Sequence, residues 1–233
     1  MCGRFTQAHT WAEVVKAFNL LGAAPSNLRP RYNIAPTDLV DVIVDRGRGR
    51  EMTSMRWGLI PGWSKPDSKN PEKPGSSFAT FNARAEEVDT KPTFRDAWRM
   101  KRRCIIPASG FFEWTGDKKK GEVRQPHYFT RKDGKIVAFA GLWDLWKNRT
   151  TGEDVYSCTI LIHSPSPWMS RYHDRMPAIL EEHNFDAWLK GEVGKEVLQP
   201  APEEILREWK VSTRVNKAGE GVDDPTIIDP TTP

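Results

Sequence analysis

Five short apolar segments follow one another in the middle of the chain, and each has the length and composition of a β-strand. The segments are Cys104–Ile106, Gly110–Trp114, His127–Thr130, Ile136–Leu142 and Val155–Ile162. Turn residues separate several of them, at Gly116-Asp117 and at Asp133-Gly134, which predicts an antiparallel meander. Helical patterns do not alternate with these strands, so the sequence argues against a doubly wound parallel sheet.

The rest of the chain predicts short helices and a few further strands around this sheet. Thr10 and Glu13 form a capping-box pattern ahead of apolar residues at helical spacing, so we expect a first helix that ends at Gly22. We also expect strands at Leu39–Val44 and Met52–Trp57, helices at Pro92–Trp98 (capped by Thr93), Asn184–Leu189 and Pro202–Trp209, and a last strand at Val211–Val215. The prediction is one α+β domain over residues 1–233, with a loose tail from about residue 219.

The composition is that of a globular protein and leaves the kind of partner open. Hydrophobic residues make up 38% of the 233 residues and charged residues 28%. No apolar run approaches the length that spans a bilayer, and no signal-peptide pattern follows the start. We therefore expect a cytoplasmic protein, or a nuclear one in a eukaryote, without a membrane partner. The formal net charge of +4 permits a nucleic-acid partner without requiring one.

The three cysteines predict neither a disulfide framework nor a metal site. Cys2, Cys104 and Cys158 are widely spaced, and no two of them have the short spacing of zinc ligands. Cys104 and Cys158 stand in apolar runs, so we expect both to be buried in the core. The sequence therefore predicts a reducing compartment, no metal and no cofactor.

Cys2 differs from the other two cysteines because it directly follows the initiator methionine. Removal of Met1 would give Cys2 an α-amine and a thiol on adjacent carbons, which is a 1,2-aminothiol. These groups titrate near pKa ~7.7–8.0 and ~8.5, so both are partly nucleophilic at neutral pH. An aldehyde condenses with such an amine to an imine, and the thiol then closes a thiazolidine ring. The alternative is a small residue in a frayed terminus.

Three other segments carry side chains suited to proton transfer or anion binding. Glu113 lies between two aromatic residues, where desolvation raises a carboxyl pKa toward neutrality; the alternative is a salt-bridged edge residue. His173 stands on a loop and has a natural acid–base range; the alternative is a surface histidine. Asn82 and Arg84 alternate on an extended segment, so their amide and guanidinium groups share one face.

Two tryptophans flank a loop rich in glycine and proline, between Trp57 and Trp63. A ring on a loop can stack on a nucleic-acid base or can anchor the loop to the core. We expect Trp57 to lie inside and Trp63 at the surface. Further along, Arg99–Arg103 has four basic residues in five, which indicates a solvated face, with a phosphate-binding track as the alternative.

Eight segments, taken in chain order, together resemble the SOS response-associated peptidase (SRAP) family. They are MCGRF, RYNIAP, RWGLIPGW, FNARAE, SGFFEW, RQPHYF, YHDRMP and VSTRVN, and they extend from Cys2 to about Asn216. The resemblance implies the α+β fold of that family, in which a mixed, mainly antiparallel sheet is partly curled into a barrel with peripheral short helices.

The resemblance also implies a sensor of abasic sites in single-stranded DNA. In this family the N-terminal cysteine forms a stable thiazolidine cross-link with the aldehyde of the ring-opened sugar. Cys2 would be the nucleophile, Asn82 would orient or stabilise the adduct, and Glu113 and His173 would carry protons during Schiff-base chemistry. The residues implied along the DNA path are Arg4, Pro36, Trp63, Arg84, Trp114 and Arg175.

The same resemblance implies a monomeric bacterial protein that associates with the nucleoid when it is bound to DNA. It also implies autopeptidase activity, in which the protein removes its own Met1 with Cys2 as the nucleophile.

The chain departs from the family pattern in two places. Ile162-His163-Ser164-Pro165 stands where many members have Thr-Thr-x-Ala, and the tryptophan that is often doubled is single in Trp63-Ser64.

Two other classes of function remain open on the sequence alone. Class II glutamine amidotransferases also begin with Cys-Gly, but they continue as Cys-Gly-Ile and form a four-layer αββα fold. This chain continues as Gly3-Arg4-Phe5 and has few predicted helices. The second alternative is a module that binds single-stranded DNA without a covalent bond and has an inert Cys2.

Overall fold

The computed structural model describes residues 2–22, 28–75, 80–116 and 123–231, and its strands form two sheets. The strands are β1 (Phe5–Gln7), β2 (Arg31–Ile34), β3 (Leu39–Asp45), β4 (Arg50–Trp57), β5 (Asn82–Arg84), β6 (Arg103–Ala108), β7 (Gly110–Thr115), β8 (Gln125–Arg131), β9 (Val137–Lys147), β10 (Asp154–His163), β11 (Met176–Pro177) and β12 (Leu206–Lys210). The helices are α1 (Trp11–Phe18), α2 (Pro92–Arg99) and α3 (Phe185–Leu189). Within these ranges no helix combines the length and the apolar composition needed to cross a membrane.

The larger sheet closes on itself. Its strand order is β11-β10-β4-β3-β6-β9, and β9 also pairs with β10, so five strands form a ring of hydrogen bonds. The ring contains one parallel pair, β10 with β4, and the other pairs in it are antiparallel. Closure leaves these five strands with no unpaired edge. The α+β fold with a sheet curled into a barrel is therefore confirmed, and it differs from the four-layer αββα arrangement.

The second sheet places the start of the chain beside β7. Its strand order is β12-β8-β7-β1-β2, and all four pairs are antiparallel. Phe5 lies opposite Phe111, and the amide of Phe112 donates a hydrogen bond to the carbonyl of Arg4 at 3.0 Å. Because the two strands run in opposite directions, the residues before Phe5 follow the half of β7 that carries Glu113.

Aromatic rings anchor this first segment in the main core. The Phe5 ring centroid lies 4.9 Å from that of Trp57 and 6.0 Å from that of Phe139, with edge-on geometry in both contacts. Cys2 belongs to the same buried cluster and has no exposed surface. Each buried ring of this kind contributes about 1.5–3 kcal/mol. The chain is thus fixed from Cys2 onward, and the frayed terminus considered as an alternative is wrong.

The two longer helices differ from the sequence prediction at their ends. The capping box at Thr10 is present, but α1 ends before Gly22 because Asn19 adopts a left-handed conformation with φ of 49°. Pro92 occupies the first turn of α2, where its missing amide proton costs nothing. The residue before it, Lys91, is therefore the N-cap, and Thr93 does not cap the helix.

The predicted meander is divided between the two sheets. Strands β7 and β8 form a hairpin in the second sheet, whereas β6, β9 and β10 belong to the barrel. The chain crosses from one sheet to the other at Ser109, whose amide donates to the carbonyl of Thr6 at 2.9 Å. The predicted strands are present, but the prediction that they pair in sequence order as a meander is wrong. Local alternation of apolar residues predicts a strand and does not specify its partner.

The C-terminal region contains the largest errors of the sequence prediction. The expected helix at Pro202–Trp209 is a single 3-10 turn followed by β12, which pairs with β8 along its whole length. The expected strand at Val211–Val215 is mainly a 3-10 turn over Thr213–Asn216. The segment up to Thr231 is not loose, because Ile227 is fully buried in a third apolar cluster.

Candidate functional site

The backbone and side chain of Cys2 are both held in place. Asn82 Nδ2 donates a hydrogen bond to the Cys2 carbonyl at 2.8 Å, which joins the first residues to β5. The Cys2 thiol lies 3.9 Å from the carbonyl of Arg4. Burial raises the pKa of the Cys2 thiol, and the negative charge of Glu113 raises it further, so the thiol is protonated at neutral pH. Cys2, Asn82 and Glu113 are therefore brought together, and Met1 lies outside the described residues.

Glu113 has the properties of a proton carrier at neutral pH. Its side chain points inward from β7 and is 1% exposed. Burial raises the pKa of Glu113 to about 7, the positive charge of Arg124 opposes this rise, and the negative charge of Asp174 adds to it. The carboxyl is then half protonated near pH 7, so it can both donate and accept a proton. The expected desolvation of Glu113 is present, although Phe112 and Trp114 alternate with it along β7 and pack on the opposite face.

His173 lies on the loop between a 3-10 turn, Met169–Arg171, and β11. Its Nδ1 lies 3.1 Å from the amide nitrogen of Arg175 and 2.6 Å from a carboxylate oxygen of Asp174. This nitrogen accepts from the amide when it is unprotonated and donates to the carboxylate when it is protonated. Because the charge of Asp174 acts on the pKa of Glu113, this loop borders the Cys2 site. The loop position predicted for His173 is confirmed.

Two arginines lie on either side of the end of β10. Arg84 on β5 pairs in register with Ile162, and Arg175 immediately precedes β11, which pairs with β10 on its other side. The Arg84 side chain is 54% exposed, and Arg175 binds Glu86 at 2.7 Å. The Arg84 guanidinium is thus accessible on the same strand as Asn82, and the Arg175 guanidinium is partly buried; groups of this kind suit an anion such as phosphate.

The departure from the family pattern at the end of β10 places a histidine beside these arginines. His163 is 5% exposed, and its Nδ1 donates to the carbonyl of Ser164 at 2.6 Å. Burial lowers the pKa of His163, and the charges of Glu86 and Arg175 act on it in opposite directions. His163 Nε2 is buried and has no hydrogen-bond partner among the described residues. Ile162 and His163, which stand at the two threonine positions, are both buried, whereas Ser164 after them faces solvent.

Arg4 precedes β1 and Pro36 follows β2, and because these strands are antiparallel with Phe5 opposite Ile34, both residues lie toward the Cys2 end of the strand pair. Arg4 is half-buried; burial lowers the pKa of its guanidinium, and the charge of Asp38 counteracts this. Pro36 opens the turn between β2 and β3, in which Thr37 has φ of 85°. This left-handed conformation is rare for a β-branched residue and is held by a backbone hydrogen bond of 2.7 Å from Thr37 to the end of β4.

The tryptophans take up the positions that the sequence predicts. Trp57 is buried and Trp63 is 55% exposed. Trp114 is half-buried on β7, and its Nε1 donates to the side-chain carbonyl of Asn216 at 2.6 Å. The guanidinium of Arg124 lies 5.9 Å from the centre of the Trp114 ring. The Trp63 ring is thus free to contact a ligand, and the Trp114 ring is fixed on the face of β7 opposite Glu113.

The family model for the SOS response associated peptidase (SRAP) matches residues 1–218 of the chain. The chain belongs to the SRAP family. The abasic site processing protein YoqW of Bacillus subtilis is 36% identical over 222 residues, which cover 93% of this chain and 94% of YoqW. The abasic site processing protein HMCES of Gallus gallus is 30% identical over 188 residues, which cover 69% of this chain and 54% of HMCES.

Solved structures show the same SRAP architecture. A crystal structure of a protein from Bacteroides thetaiotaomicron superposes with a TM-score of 0.84 at 24% identity, covering 99% of this chain and 100% of that one. A second, from Bordetella bronchiseptica, superposes with a TM-score of 0.76 at 29% identity, covering 91% and 100%.

Sequence reasoning missed the residues that support this SRAP site. Asn216 and Arg124 hold Trp114, and a chain of polar residues lies behind the loop of His173. Arg124 and Asn216 lie in the family segments RQPHYF and VSTRVN, so the polar residues of these segments are the sequence feature that could have predicted them. Among the described residues, no group of three or more His, Cys, Asp or Glu side chains is placed to hold a metal ion.

Proposed function

We propose that this SRAP protein processes abasic sites in single-stranded DNA by linking Cys2 covalently to the aldehyde of the ring-opened sugar. The observation that carries the proposal is the position of Cys2, which is held by Asn82 next to a buried carboxyl, Glu113, whose pKa is raised to about 7. The names of relatives over nearly the whole chain, such as the abasic site processing protein YoqW, support the same substrate.

The reaction begins with hydrolysis of the peptide bond between Met1 and Cys2, which converts the backbone nitrogen of Cys2 into an amine. In the self-processing route, the Cys2 thiol attacks the Met1 carbonyl carbon, and water hydrolyses the resulting thioester. The pKa of this thiol is raised by burial, so a base must accept its proton. Glu113 is the carboxyl close enough to influence that thiol and is the base in this step.

The amine nitrogen then attacks the aldehyde carbon, and the protonated carboxyl of Glu113 gives its proton to the departing hydroxyl. The imine forms and one water leaves. The Cys2 sulfur adds to the imine carbon, and the thiol proton passes to nitrogen, which closes the thiazolidine ring. His173 transfers the proton that opens the sugar ring, and Asn82 keeps the Cys2 backbone in place. In total, the carbon–oxygen double bond is replaced by one C–N and one C–S bond.

The DNA strand lies along the accessible groups around this centre. Arg4, Arg84 and Arg175 bind phosphates, while Pro36, Trp63 and Trp114 contact the sugar and bases on each side of the lesion. These residues all belong to one chain, so a monomer is sufficient. We propose that the protein acts in the bacterial cytoplasm and is at the nucleoid when it is bound to DNA.

Replacement of Arg84 with alanine is expected to weaken DNA binding more than it slows cross-linking. The ion pair between Arg84 and Glu87, at 3.5 Å, is exposed and contributes little, so the guanidinium can turn to a phosphate at small cost. Loss of one such contact should weaken binding about tenfold. It should also reduce the slope of log K against log salt concentration by about 0.7. Fluorescence anisotropy with an uncleavable abasic analogue at several salt concentrations measures both quantities.

Arg95→Ala is the matched control, because the Arg95 side chain on α2 is about as exposed as that of Arg84, at 51% against 54%, and also has a carboxylate partner, Asp96. It should leave the salt slope unchanged. An Arg84→Ala variant that binds with the wild-type slope but cross-links more slowly would refute the phosphate-binding role of Arg84.

A cross-linking assay tests the proposed function against its two rivals. Protein shown by mass to lack Met1 is mixed with a single-stranded oligonucleotide that carries one abasic site, then heated and separated on a denaturing gel. We expect a protein–DNA band that an undamaged oligonucleotide does not give. Equal retention of both oligonucleotides on a native gel without a covalent band would favour non-covalent binding, and release of ammonia from glutamine would favour an amidotransferase.

A further inference from the structure

A chain of hydrogen bonds connects the loop of His173 with strand β7. The Tyr172 hydroxyl donates to one carboxylate oxygen of Glu208 at 2.7 Å, and Nδ1 of His127 lies 3.0 Å from the other. Since a carboxylate only accepts, Nδ1 is the protonated nitrogen of His127. Its Nε2 lies 2.8 Å from the Thr115 hydroxyl, which is hydrogen-bond distance. Four residues from the loop, β12, β8 and β7 thus form one connected network.

Strand register places this network on the same face of the sheet as Glu113. Glu113 pairs with His127, and Glu208 pairs with Phe129. Directly opposed residues and residues two apart on a strand share a face. Glu113, Thr115, His127 and Glu208 therefore all point to the same side, and the network ends two residues from the Glu113 carboxyl.

The Tyr172 ring fixes the other end of the network. Its centroid lies 5.0 Å from the His127 ring, 5.0 Å from the Phe129 ring and 5.7 Å from the Trp168 ring, with edge-on geometry in each contact. Such contacts contribute about 0.5–1.5 kcal/mol each beyond the area that they bury. The residue before His173 is thus held by three rings and one hydrogen bond.

Both carboxylate oxygens of Glu208, the charged residue of the network, have a hydrogen-bond partner. The Glu208 side chain is 24% exposed, so partial burial of its charge is unfavourable unless both oxygens are bonded, as they are here. Burial raises the pKa of Tyr172 to about 12, and the hydrogen bond to Glu208 contributes, so this hydroxyl remains a donor throughout the neutral range. A polar network in which every group is hydrogen-bonded holds its side chains in one defined geometry, which apolar packing alone does not do.

We infer that Tyr172, Glu208 and His127 are positioning residues that hold His173 beside Glu113 for the cross-linking reaction. This inference rests on the proposed function and assigns the three residues no contact with DNA. Their effect passes through His173, since Tyr172 is adjacent to it in the chain and the network fixes the distance between its loop and β7.

The test is the Tyr172→Phe variant, which removes the hydroxyl and keeps the ring. We expect cross-link formation at saturating DNA to slow about tenfold, with the dissociation constant for an abasic analogue unchanged. In a His173→Ala background, the same change should have no further effect, because the residue through which Tyr172 acts is already missing.

Tyr128→Phe is the matched control. The Tyr128 hydroxyl lies 2.8 Å from that of Thr6, and the ring is buried on the opposite face of β8. This variant should keep the wild-type rate to within about twofold, since it removes an equivalent buried hydroxyl elsewhere. Glu208→Gln still offers Tyr172 an acceptor and should therefore retain more activity than Tyr172→Phe.

Two results would overturn the inference: an unchanged rate in Tyr172→Phe, or equal slowing with and without the His173 side chain. If wild-type protein forms no cross-link, the proposed function fails, but the positioning role is still tested by NMR of protein labelled with 15N-histidine. The ring resonances of His173, assigned from His173→Ala, should move in Tyr172→Phe and not in Tyr128→Phe. Unmoved His173 resonances would contradict the inference whatever the reaction is.

Discussion

Replacement of Cys2 with alanine is expected to abolish the heat-stable cross-link to abasic DNA. Alanine has no thiol for the self-processing route, so the variant is used only after its mass shows that cellular processing, which accepts a small second residue, has removed Met1. Its α-amine should then still form an imine with the aldehyde. Without the thiol no ring can close, and the imine hydrolyses on heating. We therefore expect no band on a heated denaturing gel and a band when sodium borohydride traps the imine before heating.

Cys158→Ala is the control for this experiment. Cys158 is fully buried in the same core cluster as Cys2 but lies in the middle of β10, far along the chain from the amine. Its replacement should leave the heat-stable cross-link intact. A heat-stable cross-link formed by the Cys2→Ala variant would show that the thiol does not bind the lesion, and the thiazolidine proposal would fail.

Replacement of Glu113 with glutamine is expected to slow cross-linking by about 10²–10⁴-fold, the usual contribution of one general acid–base residue. Glutamine has nearly the same shape as the protonated carboxyl but cannot transfer a proton. DNA affinity should change little, because the buried Glu113 side chain has no surface for a phosphate. Single-turnover rates at saturating oligonucleotide separate the two effects, and an equal loss of affinity in this variant would refute the assignment.

The pH dependence of the rate reports on the same residue. The carboxyl acts as an acid when protonated, which is lost as pH rises through about 7, whereas the amine must be unprotonated, which is gained through about 8. The wild-type rate should therefore pass through a maximum between these values and decline on both sides. Glu113→Gln should lose the alkaline decline and reach a plateau. A decline that persists in the variant would assign the acid to another group.

The same substitution is expected to stabilise the fold at alkaline pH. The pKa of Glu113 rises from 4.5 to about 7 on folding, so the folded state binds its proton more tightly than the unfolded state. Stability from this group is fully present below pH 4.5 and is lost as pH rises through 7, by roughly 3 kcal/mol. Urea unfolding at pH 5 and pH 8 should show a gain for Glu113→Gln that is larger at pH 8; an equal gain at both would contradict the burial of a charge.

The sequence predicts well those features that depend on neighbouring residues alone. Alternating apolar residues locate the hairpin of β3 and β4, and the apolar surroundings of Cys104 and Cys158 predict their burial, which is complete. The desolvation of Glu113 is also predicted, but not for the reason given, because Phe112 and Trp114 alternate with it along β7 and pack on the opposite face of the sheet.

Features that depend on pairing between strands far apart in the sequence cannot be predicted from neighbouring residues. The segment that contains Glu208 has the local pattern of a helix, and it becomes β12 only because β8 offers a partner over five residue pairs. That pairing is what brings Glu208 to His127 and Tyr172. Because this segment was predicted as a helix, the network behind His173 could not be predicted, although Tyr172 and His127 lie in family segments.

The central claim is that Cys2 and an abasic-site aldehyde become one thiazolidine, and the intact mass of the adduct tests it most directly. Protein that lacks Met1 is incubated with the abasic oligonucleotide, divided, and measured with and without borohydride. An imine and a thiazolidine have the same mass, that of protein plus DNA minus one water, but only the imine gains two hydrogens on reduction. We predict this mass in both halves, unchanged by borohydride and absent for Cys2→Ala without reductant. An adduct that gains two hydrogens, or no adduct at all, would contradict the account.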